Sequence, residues 1–188
     1  MGLRLTFPVH VMEFDPEARE RWRAGDRTDC PDLYCQKLSG TQGFGEYWVG
    51  QYWVGQYYAR QGYEWIHHDY NFLGGNRPGK WPRSEEIMRA YAGDEKLTKA
   101  CQTWPTFLPL EEPDLLIFKP DFSEVRFAEC KRLDTHDKVR EAQLRGMAFL
   151  ALMFDCPVEI FELVEAGQPH EAEPIVYEIG ETAGSAIR

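Results

Sequence analysis

A chain of 188 residues, 43% of them hydrophobic and 14% aromatic, is long enough to fill one sizeable core. A net charge of −10 weighs against long non-specific tracking along duplex DNA, because phosphate contacts come mainly from Lys and Arg. With no apolar run near ~18 residues, no signal-peptide h-region in Met1–Pro8, and five scattered cysteines, the expectation is no membrane span and reduced thiols in a cytoplasmic setting.

In chain order, residues 1–42 read as an N-terminal extension. Leu3–Phe14 predicts one or two short strands. Asp15 then caps a helix to about Ala24, with Pro16 at its first position, where the missing N–H costs nothing. Gly25 to Gly45 reads as loop. Cys30 and Cys35 have the spacing of half a zinc site, but no second pair follows, so ordinary thiols are favoured.

The remaining span, 43–188, reads as the main domain. A helix is expected from Glu46 to near Gln61. It contains a duplication, Tyr47-Trp48-Val49-Gly50-Gln51 followed by Tyr52-Trp53-Val54-Gly55-Gln56, whose five-residue period does not match 3.6 residues per turn. These rings suit a core first, and base stacking or a subunit interface second. Tyr63–His67 is the next strand; neighbouring His67 and His68 would face opposite ways, one buried and one exposed. An insert at about 71–110 follows. In it, Gly74–Lys80 fits G-x-x-x-x-G-K, but Trp81 and Pro82 supply neither the hydroxyl nor the helix of a phosphate-binding loop. Arg77 and Lys80 remain candidate phosphate contacts. A helix is expected from Ser84 through about Cys101, with Ile87, Tyr91 and Leu97 facing inward.

The chemistry gathers further on. Pro113–Phe118 and Val125–Lys131 read as two strands joined across the turn 119–124. Paired as a hairpin, they bring Asp114 towards Glu129. Alternation puts Glu129 and Lys131 on one side and Cys130 on the other. Mg²⁺ or Mn²⁺ takes hard oxygen ligands and keeps waters, so one or two carboxylates plus substrate phosphate oxygens suffice, with the Cys130 carbonyl as a further oxygen. Lys131 would orient the attacking water or neutralise charge developing on phosphorus. The plainer alternative is a surface hairpin with an ion pair. A helix is expected over Lys138–Leu150, with an N-cap and early acidic residues offered by Asp134-Thr135-His136-Asp137. Val139, Gly146, Met147 and Leu150 share its apolar face with Gln143, which must find a partner there. Pro157–Val164 alternates as a last strand. Arg132 and Lys138 belong to a locally basic stretch, 126–145, fit for nucleic acid.

The pattern Pro113-Asp114, Glu129-Cys130-Lys131 and a helix bearing Gln143 resembles the PD-(D/E)xK nuclease superfamily, and within it the virus-type replication-repair nuclease (VRR-NUC) family. The resemblance covers roughly residues 43–164. It implies an α/β restriction-endonuclease-like core, a central mixed β-sheet flanked by helices, in a bacterial or phage-encoded protein. It implies Glu46, Asp114 and Glu129 as the acidic metal set, Lys131 as the catalytic lysine and Gln143 as the helix glutamine. The implied activity is Mg²⁺- or Mn²⁺-dependent hydrolysis of DNA phosphodiesters. Branched or structured DNA and a homodimer are the expected partners. Two departures stand out: the long insert before Asp114, and Met147 where the related RecB-type nucleases carry tyrosine. The competing expectation is a non-catalytic protein of the same fold that binds a basic partner or a nucleic-acid enzyme; a third is a purely structural component, in which Lys131 has no role.

Overall fold

Four consecutive apolar residues, Leu115–Phe118, make a strand buried on both faces, and the sheet grows from it. A computed structural model of the chain describes residues 2–38, 43–67, 70–73, 80–107 and 109–180, apart from the side chain of Glu46. The strands are β1 (Leu3–Phe7), β2 (Val9–Phe14), β3 (Glu64–His67), β4 (Leu115–Phe118), β5 (Val125–Arg132), β6 (Val158–Glu165) and β7 (Ile175–Ile179). The helices are α1 (Pro16–Arg23), α2 (Leu33–Lys37), α3 (Gly43–Tyr52, π-helical), α4 (Trp53–Ala59), α5 (Pro82–Ala92), α6 (Asp94–Thr103) and α7 (Glu141–Phe154). Among the described residues no helix is long and apolar enough to cross a membrane.

Five strands form a mixed sheet in the order β2-β6-β5-β4-β3. The β2, β6 and β5 strands run parallel, while β4 and β3 are each antiparallel to their neighbour. Alternation divides the core. Leu116, Phe118, Phe127 and Ile160 pack with α5, α6 and α7, whereas Leu115, Ile117, Ala128 and Phe161 pack with α1 to α4. The chain is thus mixed α/β, with a central sheet flanked by helices on both faces. Within residues 2–38, β2 forms an edge strand of this sheet, while β1 pairs with β7 in a separate two-stranded sheet.

Several local expectations change. The stretch 25–45, read as loop, contains α2, because Asp32 accepts the Cys35 N–H at 2.7 Å and caps a short helix. The expected helix 84–101 is two helices, broken at Gly93, whose φ of 85° lies outside helical backbone. The duplication spans two helix types: the first copy lies in π-helix, with i to i+5 hydrogen bonding, and the second, after Tyr52, in α-helix. Trp48 and Tyr58 are buried, Tyr47, Tyr52 and Trp53 half-buried, and only Tyr57 is exposed, so core packing accounts for most of these rings. The stretch Asp134–Asp137 does not supply the cap of α7, which falls at Arg140, and Asp134 is engaged elsewhere. It is held by Arg132 and Arg19, residues 133–135 close a 3₁₀ turn, and the helix starts at Glu141. His68, Asp69 and Gly74–Gly79, including Arg77, lie outside the described residues.

Candidate active site

The hairpin forms as its turn chemistry demands. Asp121 accepts the N–H and hydroxyl of Ser123, Phe122 takes φ 59°, and the Lys119 N–H donates to the Glu124 carbonyl at 2.9 Å. The resulting register pairs Leu115 with Ala128, which sets Asp114 opposite Glu129 at the end of β4. Asp114 Oδ2 accepts the backbone N–H of Cys130 at 2.8 Å, so the acid is fixed across the strand pair. The Cys130 side chain is buried in the opposite, α1–α4 cluster, as alternation requires.

Glu129 is 1% exposed. Its Oε1 accepts from Gln143 Nε2 at 2.6 Å and meets Lys131 Nζ at 2.7 Å. Its Oε2 is buried without a hydrogen-bond partner among the described residues. Burial first, then the Asp114 charge, pushes the Glu129 carboxyl up to about 8, against the pull of Lys131. Burial alone would lower Lys131. The Glu129 charge and hydrogen bond, followed by Asp114 and Asp137, outweigh it and hold the ammonium up. Lys131 Nζ also lies 3.5 Å from Asp137 Oδ2.

Gln143 occupies the first turn of α7 and works in two directions. Its Oε1 accepts the Arg140 N–H at 3.0 Å, capping the helix, while its Nε2 reaches Glu129. The helix comes close because Gly146 faces the 109–112 segment: a Cβ there would lie 1.9 Å from the Glu111 carbonyl oxygen. A cavity of about 420 Å³ opens beside these groups, lined by Asp114, Lys131, Arg132, Asp137, Arg140 and Gln143, among others.

Asp114, Glu129, Lys131 and Gln143 therefore converge as the spacing predicts. Glu46 lies on α3, and its side chain is outside the described ones. One contributor escaped the sequence reading. Gln51, 4% exposed on α3, donates from Nε2 to Asp114 Oδ1 at 3.4 Å. Its signal was an amide in an aromatic and aliphatic run, one of two with Gln56, a clue of the kind that picked out Gln143. The expected basic face is largely neutralised: Arg126, Lys131, Arg132, Arg140 and Arg145 are all ion-paired to carboxylates. Arg132 is 9% exposed, and Asp134 meets its charge in the cavity wall. Lys138 and Lys80 are exposed.

The residues present suit a divalent cation. Two carboxylates stand at one strand end, and one carries an orphaned buried oxygen that a hard cation would satisfy. Comparison with protein-family models, with curated proteins and with solved structures gives no significant match to this chain.

Proposed function

We propose that the chain is a metal-dependent nuclease that hydrolyses DNA phosphodiester bonds on a restriction-endonuclease-like core of the PD-(D/E)xK type. The observation that carries this reading is Glu129: a buried carboxylate with one oxygen held by Gln143 and Lys131, the other oxygen unsatisfied, and Asp114 opposite. Leaving a buried carboxylate oxygen unmade costs about 1–3 kcal/mol or more, so its retention favours a ligand over a purely structural ion pair.

A bound Mg²⁺ or Mn²⁺ supplies charge neutralisation and a more acidic water. The protein supplies the rest. Asp114 and Glu129 present oxygens from fixed strands. Gln143 holds the Glu129 carboxylate in one orientation. Lys131, kept protonated, offers a donor where negative charge grows on the phosphate. The cavity beside them is open to a backbone phosphate, and Lys138 and Lys80 are exposed for further contacts.

Cleavage assays with Mg²⁺ and Mn²⁺ on linear, supercoiled, single-stranded and branched DNA test the proposal. Activity lost in Asp114→Ala and Lys131→Ala supports it; cleavage by either variant at the wild-type rate sinks it.

A second reading has its own support. Five of the six cations in 126–145 are already paired, and the net charge is −10. Such a surface suits a basic protein partner better than extended DNA. On that reading the chain keeps the fold and acts by binding a nucleic-acid enzyme. Calorimetry separates the two: Mn²⁺ binding that Glu129→Ala abolishes favours the nuclease, and no metal binding favours the partner.

A further inference from the structure

A second group of ligand-type side chains lies apart from the acidic residues. Cys30 and Cys35 are 1% and 0% exposed, and the structure supplies the companions that their spacing lacks. Asp32 sits between them and His67 arrives from the end of β3. One ligand atom each from Asp32, Cys35 and His67 lie within 4.8 Å of one another. His67 Nε2 is 3.5 Å from Asp32 Oδ2, and the other carboxylate oxygen accepts the Cys35 N–H at 2.7 Å, which holds Asp32 in place. Cys30 Sγ donates to the Asp32 carbonyl at 3.6 Å and acts directly on the Cys35 thiol.

We infer that Asp32, Cys35 and His67, with Cys30 as fourth ligand, form a zinc site. Tetrahedral Zn²⁺ bound at ~2.0–2.3 Å separates its ligand atoms by roughly 3.3–3.8 Å, so shifts of about 1 Å close Asp32, Cys35 and His67 on the ion, and Cys30 must turn towards it. Thiolate with imidazole selects a borderline-soft ion over Mg²⁺, which keeps this centre distinct from the all-oxygen acidic site. Without metal, burial and then the Asp32 neighbour push the Cys35 thiol well up; zinc displaces that proton. The consequence is mechanical. His67 pairs with Leu115, the residue after Asp114, and its ring lies 6.4 Å from that of Tyr52, the residue after Gln51. Zinc would bolt α2 to the strand edge beside which α3 presents Gln51 to Asp114.

Co²⁺ titration of the full chain, after chelator treatment and in the Glu129→Gln background, reads the site directly. The expected result is one equivalent of Co²⁺ with a thiolate-to-cobalt charge-transfer band, bleached by Zn²⁺. Cys35→Ser and His67→Gln should each weaken binding at least about 100-fold, Cys30→Ser should roughly halve the band, and Cys101→Ser should leave it unchanged. Absence of the band in the otherwise unsubstituted chain overturns the site whatever the variants do. A band retained in Cys35→Ser also overturns it, and one unaltered in Cys30→Ser removes Cys30 from it.

Discussion

Gln143 Nε2 donates to Glu129 Oε1 at 2.6 Å while Gln143 Oε1 caps its own helix on the Arg140 N–H. One amide thus ties the start of α7 to the buried acid of β5. Gln143→Ala should cost roughly 1–3 kcal/mol, from the lost cap and the lost amide hydrogen bond to Glu129 Oε1, which keeps only Lys131. Urea unfolding with an unchanged slope would measure it, and a cost near zero would remove Gln143 from this role.

The raised carboxyl of Glu129 makes metal binding depend on pH. The cation needs the carboxylate, and below about 8 the folded protein holds it protonated. Apparent Mn²⁺ affinity should therefore rise with pH, approaching tenfold per unit below that point and levelling off above it. Calorimetry in buffers of different ionisation enthalpy should report close to one proton released at neutral pH. A flat affinity between pH 6 and 8 would contradict the assignment.

The same group affects stability in the metal-free protein. The folded state keeps the proton up to about pH 8, whereas the unfolded carboxyl loses it near its ordinary value of 4.5. Across that window the native state binds more protons, so stability should fall as pH rises. Paired melts of wild type and Glu129→Gln should diverge there, with the variant the flatter of the two.

Gly146 lies where α7 meets the 109–112 segment. Gly146→Ala would drive a methyl into the Glu111 backbone carbonyl, so the helix must shift. Overpacking of this kind costs roughly 1–3 kcal/mol, despite the better helix propensity of Ala. Thermal unfolding checks the sign: a stabilised variant would show that the helix sits farther out.

Asp134 answers two guanidinium groups, Arg132 and Arg19. Asp134→Asn weakens two charge-assisted contacts, to Arg132 and Arg19, and should cost about 1–3 kcal/mol, more than an exposed ion pair would. Loss of under about 0.5 kcal/mol in denaturant unfolding would show that the Asp134 charge contributes nothing there.

Much of the candidate site was legible because strand alternation is strict. Once Leu115–Phe118 and Val125–Arg132 are strands, Asp114, Glu129 and Lys131 have little freedom in where they lie. Gln143 was legible because an amide on an apolar helix face must be satisfied. Gln51 was missed because the pentapeptide repeat was tested against α-helical period, whereas Gln51 lies in π-helix. The Asp32–Cys35–His67 cluster was missed for a different reason. Its members come from a short capped helix and a distant strand, and no local spacing encodes that meeting. The neutralisation of the basic stretch was equally hidden, since Glu111 and Glu159 reach Arg140 and Arg126 from elsewhere in the chain.

The central claim is that Glu129 and its neighbours cut DNA with a divalent cation. The most direct measurement is single-turnover cleavage of labelled linear, single-stranded and branched DNA by wild type and Glu129→Gln, with Mn²⁺, Mg²⁺ or chelator. The account predicts cation-dependent strand cleavage by wild type on at least one substrate and a loss of about 100-fold or more in a variant that still folds. No cleavage on any substrate, or equal rates in the two proteins, would contradict it.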